Sequence, residues 1–459
     1  GGGAHDEIAV VTPLSHANAA AASRFALYQV TNGAPVVPAT GSNAYELPAF
    51  NAAILQAVPL TLGSEQTRLY AVLTAELDVY VVPRTAAAKA AFTAALPTLV
   101  LHVLDEAHGV VSGYRVKSAA KASGSAVSAS AAFVAESLWD FRLAPPSGAA
   151  ASSECGAGCF LAHEHIGDAV RETSPAKVKG DASLLLKYLN PHMVALASVA
   201  SVEAKELRIT VLDAVSGRTL HSLVQPNAVA PVSLVWLENW LVYSFWNPTF
   251  KRTELATVAL FKGAIDRAGL NPWTTSSTQL VGNANGRASS FAPQTVIALH
   301  KRFLLPEGVA AMAATETAHS IAPKALLIAT KRGQLLQLPL GFVDPRRPNA
   351  KPTKEEQKEG LMQFSAHLPT PAAFIVSYNR TIERVAQVAT TPAELESSSV
   401  VIACGLDIFA TRVSPAGGFD ILSPSFNAPL LVLVLAAMFG IYLYLKNAAE
   451  QKVVDDWWK

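Results

Sequence analysis

ELRITVLDAVSGRTLHSLV, residues 206–224, reads as two short apolar strands around a turn. The first strand ends in Leu212-Asp213 and Gly217 follows four positions after the aspartate. Asp can accept hydrogen bonds from its own turn backbone, and Gly can take a positive φ without steric cost. A second stretch, TLVLHVLDEAHGVVSGYRV (98–116), repeats the arrangement with Asp105 and Gly109. Working outward, RLYAVLTAELDVYVVP (68–83), NWLVYSFWNP (239–248), ELATVALFKG (254–263), ALLIATKRGQLLQLPL (325–340) and SVVIACGLDIFATRVSP (399–415) are further apolar runs of strand length broken by polar or glycine-bearing turns. VSLVWLENWLVYSFW (232–246) is apolar enough to suggest a membrane, but Glu238 and Asn239 interrupt it and it is too short to span. It reads as strand, turn, strand with tryptophans in the core.

Many short antiparallel strands must hide their edges, and closing small sheets around an axis does so. The expected fold is all-β: a β-propeller of the quinoprotein-like type, with a large β-sandwich array as the alternative. Uneven spacing between hairpins leaves the number of blades open. PRTAAAKAAFTAAL (83–96) is expected to interrupt the strands with a short helix, with Lys89, Phe92 and Leu96 at helical spacing. KPTKEEQKEG (351–360) reads as a charged, solvated loop, and 118–132 and 145–158 as low-complexity loops.

One run differs in kind. APLLVLVLAAMFGIYLYL, Ala428 to Leu445, carries no charge. As a helix it is about 27 Å long, enough for a thin bilayer. Asn427 is placed to cap it, Pro429 sits in the first turn, and Tyr442 and Tyr444 suit a membrane interface. Residues 414–427 hold no Lys or Arg, whereas Lys446, Lys452 and Lys459 follow the run. The positive-inside rule therefore places the tail in the cytosol and residues 1–427 on the lumenal side. Asn379-Arg380-Thr381, a glycosylation sequon, falls on that lumenal side.

Composition narrows the function. The 459 residues hold 36 Lys and Arg against 35 Asp and Glu, a net charge of +1, so nucleic acid is not an expected partner. Charged residues make up 15%, below the usual share of roughly 25%. Three cysteines exclude a disulfide-rich module and a four-cysteine zinc site. Cys155, Cys159, His163 and His165 form C-x3-C-x3-H-x-H, for which zinc, a local Cys155–Cys159 disulfide and free thiols are all open, although the histidine spacing is poor for zinc. HEH at 163–165 is not a metalloprotease motif, GNANGR (282–287) lacks the Lys-Ser/Thr of a phosphate loop, and no G-x-S-x-G elbow occurs. No catalytic, cofactor-binding or metal residues are assigned. The opening GGGAHDEIAVV has no apolar leader core, so no signal peptide is read in it.

Several segments in order carry a resemblance: LLLKYLNPHMVALAS (184–198), TVLDAVSGRTLHS (210–222), ENWLVYSFWN (238–247), LLIATKRGQLLQLPLGFVDPRRP (326–348), SYNRTIERV (377–385) and CGLDIFATRVSP (404–415), then one span and a short tail. From about residue 60 onward they resemble the C-terminal half of subunit 1 of the ER membrane protein complex. The resemblance implies a lumenal β-propeller, one C-terminal membrane helix and no catalytic residues. It implies a scaffold within a complex that inserts tail-anchored and weakly hydrophobic segments and aids multipass proteins. The implied partners are the other subunits, client membrane proteins and the lipid bilayer. Asn379 matches a family sequon and Ala428–Leu445 the family span, while Asp455 and Asp456 make this tail less basic than is usual.

The expected organisation is propeller strands over 1–343, a charged loop over 344–370, final strands closing the propeller over 371–420, a juxtamembrane stretch over 421–427, the membrane helix over 428–445 and a cytosolic tail over 446–459. Ala436, Ala437 and Gly440 form a small-residue patch suited to close helix packing. Trp457 and Trp458 are expected to anchor at the cytosolic surface or on a cytosolic subunit. The competing expectations are a single-pass ER receptor or cargo-binding ectodomain and, on the same fold, a quinoprotein-like dehydrogenase, for which regular Trp docking motifs are lacking.

Overall fold

The computed structural model describes residues 7–14, 22–29, 54–62, 67–106, 108–118, 132–144, 159–166, 174–201, 203, 205–263, 288–291, 295–417 and 427–458. The expected low-complexity loops and the GNANGR stretch lie almost wholly outside the described residues. Strands β1 (Glu7–Leu14) and β2 (Ala22–Gln29) pair as a hairpin. Strands β3 (Ile54–Leu62), β4 (Thr67–Thr74) and β5 (Asp78–Val82) precede helix α1 (Ala86–Ala95), and β6 (Val100–Asp105), β7 (Val110–Ser118) and β8 (Phe133–Arg142) follow it. These six strands form one sheet in the order β3-β4-β5-β8-β7-β6. Its two halves meet through a short seam, the pairs Asp78–Val134 and Val79–Phe133 and the Ala135 N–H donating to the Leu77 carbonyl at 2.8 Å. Helix α1 is capped by Thr85, and its buried residues are Ala88 and Phe92. Lys89 is exposed and Leu96 half-buried, so the apolar stripe is narrower than its sequence spacing suggests.

The rest of the propeller is a run of meanders. Strands β9 (Phe160–His165), β12 (Met193–Ser201), β13 (Glu206–Asp213) and β14 (Thr219–Gln225) make a four-stranded sheet, with the small hairpin β10 (Ala176–Val178) and β11 (Leu184–Leu186) between the first two. Strands β15 (Val229–Leu237), β16 (Trp240–Asn247), β17 (Arg252–Lys262) and β18 (Val296–Leu305) make the next. Two three-stranded sheets follow: β19 (Val309–Ala314), β20 (Ala325–Thr330) and β21 (Leu335–Pro339), then β22 (Gln387–Pro392), β23 (Ser399–Cys404) and β24 (Ile408–Val413). The first strands of these four sheets, β9, β15, β19 and β22, stand side by side in that order. This is the arrangement of propeller blades about an axis, with the later strands stepping outward.

The period-two geometry of a strand explains why these sequences are apolar on both faces. In β15, Leu234 and Trp236 join one core and Val235 and Leu237 the next. In β17, Ala256, Val258 and Leu260 face the β9–β14 blade, while Leu255 faces β19–β21. In β20, Leu326 and Ile328 point one way and Leu327 and Ala329 the other, toward β22–β24. The blades β9–β14, β15–β18 and β19–β21 are therefore each sandwiched between two cores, while β22–β24 packs on one among the described residues.

The segment 344–370 is more ordered than a solvated loop. It contains a helical turn, α2 (Lys354–Lys358), closed by a capping box between Thr353 and Glu356. Asp344, Arg347, Leu361 and Leu368 within it are buried. The terminal helix α3 (Ala428–Trp457) also exceeds its expected length. Good helix formers continue the pattern after Leu445, and Lys446 lies 3.9 Å from Glu450 one turn on.

Candidate interaction sites

The two turns singled out in the sequence behave as their chemistry requires. Asp213 Oδ1 accepts from the Val215 N–H at 3.0 Å and Gly217 has φ +69°. Asp105 Oδ1 accepts from the His108 N–H at 3.2 Å and Gly109 has φ +62°. The first turn also does something its sequence does not show: it docks on the preceding sheet. The Trp139 indole of β8 lies against Gly113 and Gly217, and its Nε1 donates to the Val215 carbonyl at 3.0 Å. A Cβ on Gly217 would fall 2.5 Å from the Trp139 ring.

The segments that carry the resemblance meet one another. Lys187 of KYLNP reaches Glu238 of ENW at 2.5 Å, with side chains 14% and 9% exposed. Asn239 Nδ2 donates to the Leu260 carbonyl at 2.7 Å, fixing the same turn to the strand beyond. Asp344 and Arg346 of GFVDPRRP form an ion pair with each other, and Arg346 Nη1 donates to Glu359 Oε2 at 2.8 Å. Lys177 approaches Asp344 at 3.5 Å, and Glu359 Oε1 accepts from the Gly180 N–H at 3.0 Å. Burial, then the Arg346 charge, pulls the Lys177 ammonium below its usual range. A Cβ at Gly180 would lie 2.0 Å from the Glu355 carbonyl oxygen, so only glycine lets the β10–β11 hairpin approach α2 this closely. Asp344, Arg346 and Glu359 thus serve internal docking, whereas Lys351, Lys354, Glu355 and Lys358 of the stretch read as a solvated loop, 351–360, are exposed as that reading expects.

The sequon lies on a pinned loop. Ser377 Oγ accepts from the Leu335 N–H, the Ile382 N–H donates to the Gly333 carbonyl, and the Glu383 N–H donates to Asp407 Oδ1. Between these anchors Tyr378, Asn379, Arg380 and Thr381 are exposed.

Cys159 is 6% exposed and disulfide-bonded, while Cys404 is a free thiol. Cys155 lies outside the described residues. His163 and His165 sit on β9 and point toward the β3–β8 sheet, where the His165 ring lies 4.9 Å from that of His102 and His163 lies 3.9 Å from Glu106. Burial, then the charges of His165, His163 and His192, pushes His102 down to about 4. Among the described residues no group of three or more His, Cys, Asp or Glu side chains is set to hold a metal.

Helix α3 is the one described helix long and apolar enough to cross a membrane: its most apolar 18-residue window within Ala428–Val454 has mean hydropathy 2.3, and none of that window is buried. Among the described residues nothing lies within 4 Å of a Cβ built on Gly440, and Trp457 and Trp458 are 86% and 89% exposed.

Fold and sites together define a β-propeller carrying one apolar helix of membrane length, built around internal docking contacts. The family model described as ER membrane protein complex subunit 1, second beta-propeller, matches residues 12–416, and the chain belongs to this family. The match begins well upstream of residue 60, where the motif resemblance starts. The chain is 32% identical over 289 residues to ER membrane protein complex subunit 1 of Gallus gallus, covering 62% of this chain and 28% of that protein. It is 32% identical to the Xenopus laevis protein with the same coverage. Against the Saccharomyces cerevisiae protein identity is 27%, covering 61% of this chain and 37% of that one. The matched region thus spans about a third of these relatives' length. A crystal structure of BBS1N in complex with ARL6DN, soaked with mercury, aligns at TM-score 0.30 and 11% identity, over 87% of this chain and 76% of that chain, a likeness too slight to add to the fold assignment.

Proposed function

We propose that the chain is a non-catalytic scaffold subunit of the ER membrane protein complex, with its propeller in the ER lumen and its C-terminus in the cytosol. Its partners are the other subunits, client membrane proteins and the bilayer. In this reading the assembled complex inserts tail-anchored and weakly hydrophobic segments and aids multipass proteins. The observation that carries it is the pairing of a propeller locked between its blades with a wholly unburied apolar helix. A rigid propeller offers loop-built faces for partners, and an apolar helix needs lipid or other helices around it. The lysine bias around α3 and the exposed sequon at Asn379 support the topology, and the disulfide at Cys159 suits an oxidising compartment. The test is affinity purification of the tagged full-length protein in mild detergent, together with insertion of a tail-anchored reporter after its depletion. A multi-subunit assembly and reduced insertion are expected. A monomer, with insertion unchanged, overturns the reading in favour of a single-pass receptor.

A further inference from the structure

The outermost strand of the second four-stranded blade, β18, pairs with β17 along its whole length, from Thr253–Leu305 to Lys262–Val296. Among the described residues its other edge is engaged at one point. The Leu304 N–H donates to the Ala366 carbonyl at 2.7 Å and the Leu304 carbonyl accepts from the Leu368 N–H at 3.0 Å, a single parallel rung. Strand alternation turns the backbone groups of Arg302 and His300 to that same side. Among the described residues neither has a backbone partner there. The edge is thus started as a ladder and left open.

Beside it lies a cleft of about 610 Å³ lined by Asn247, Phe250, Arg252, Lys301, Arg302 and Phe364, among others. Three cations face one carboxylate, Glu254, and that carboxylate is already engaged: its Oε1 accepts from Asn247 Nδ2 and Arg252 Nε, each at 3.0 Å. Lys301 Nζ donates to the Arg347 backbone carbonyl, and the exposed Arg302 has no carboxylate partner among the described residues. Two aromatic rings hold cations in place: the Arg252 guanidinium lies 4.6 Å from the Phe250 centroid and Lys301 Nζ 4.5 Å from that of Phe364. Phe250 is 61% exposed.

We propose that the open edge of β18 and this basic cleft receive an extended acidic segment of another polypeptide as an added strand. The backbone groups of His300 and Arg302 continue the ladder begun at Leu304, and acidic side chains along one face of the segment meet Arg302 and Arg252, while Lys301 lies on the opposite face of β18 and adds to the positive charge of the cleft. Charged residues on an edge strand can also serve to repel pairing, in which case they project into solvent. Here two of the three cations are held over rings in a concave wall, which favours recognition over repulsion. A free anion would use the cations alone and leave the strand edge idle. The site stands apart from complex membership, because its occupancy is read on this chain by itself.

The experiment uses the full chain in mild detergent and a fluorescent peptide of about eight residues alternating Glu with Val or Thr. Fluorescence anisotropy should give saturable binding, weakened about tenfold or more by Arg302→Glu and by raised salt. The milder Arg302→Gln should weaken it less, with secondary structure unchanged by circular dichroism. A peptide with proline at alternate positions should fail to bind, and the bound peptide should protect the His300 and Arg302 amides from hydrogen exchange. The proposal is overturned by absent binding, by equal binding of the proline peptide, by indifference to Arg302→Glu, or by full displacement with millimolar inorganic phosphate, which would make the cleft a simple anion site. Binding of anionic vesicles in place of the peptide would overturn it too.

Discussion

Lys187 Nζ and Glu238 Oε2 lie 2.5 Å apart in a place where neither side chain is more than 14% exposed, so the segment entering β12 is tied to the turn between β15 and β16 by a nearly dry ion pair. Glu238 holds a left-handed backbone, φ +57°, in that turn. A carboxylate with this little water depends on its cation. Lys187→Met is expected to lower stability by about 3–5 kcal/mol, and adding Glu238→Gln to recover part of that loss. Thermal unfolding of the two variants beside the parent checks this; a double variant no more stable than the single one would refute the pairing.

The Trp139 contact makes a second prediction. Gly217→Ala places a methyl group against the indole at a residue with φ +69°, combining overpacking with backbone strain. The expected loss is at least about 1–3 kcal/mol. Trp139→Phe, which shortens the ring system, should relieve part of it in the double variant. Equal losses in the single and double variants would show that only the turn, and not the docking, is affected.

Much of the propeller can be read along the chain because each hairpin is local: Asp213 and Gly217 are neighbours, and the paired strands β13 and β14 lie within twenty residues. The docking between blades is not local. Trp139 meets Val215 across 76 positions, Gly180 meets Glu359 across 179, and neither pairing leaves a pattern in sequence. The same holds for Glu396, which accepts from the Thr317 hydroxyl and the His319 and Ile321 amides and staples a distant loop. In 351–360 the high charge suggested solvation, whereas Glu359 is drawn inward by Arg346. The basic cleft was invisible for a related reason. Arg252 and Arg302 are ordinary strand residues until the register of β17 and β18 brings them to one wall.

Glu164 provides a pH prediction. It lies on the inner strand β9, its carbonyl accepts from Trp236 Nε1 at 3.1 Å, and burial pushes its carboxyl up to about 7. An unfolded glutamate titrates near about 4.3. Between those values the folded chain holds a proton that the unfolded chain has lost, so this group's contribution falls as pH rises through the window. Glu164→Gln removes the fall. The stability gain of the variant, measured by thermal unfolding, should be larger at pH 8 than at pH 5; an equal difference at both would exclude this titration.

Topology can be read from Asn379. The loop anchors leave the sequon facing water, which suits a transferase acting on the lumenal side. Expressed in cells, the protein should lose a glycosidase-sensitive mobility shift on Asn379→Gln. An engineered sequon after Trp458 should stay unmodified. The reverse pattern would place the propeller in the cytosol.

The last prediction concerns α3. A helix with no buried residue has its whole apolar surface available to lipid and to neighbouring helices, and burial alone gives no preference between them in a membrane. What distinguishes a packing face is the closeness it permits. Ala436, Ala437 and Gly440 remove side-chain bulk along one stretch, and a Cβ at Gly440 meets nothing among the described residues, which leaves the gap open to another molecule. Gly440→Leu keeps the helix apolar and helical while filling that gap. If the patch seats a partner helix, the variant should reach the membrane at normal level yet recover clearly less of the other subunits on affinity purification. The fair control is a bulky exchange away from the patch. Leu431 falls on the opposite side of the helix from Gly440, and Leu431→Phe should leave recovery unchanged. Unchanged assembly with Gly440→Leu would assign the small residues to lipid and move the anchoring role to the exposed Trp457 and Trp458, whose replacement by Ala would then be the variant that lowers recovery.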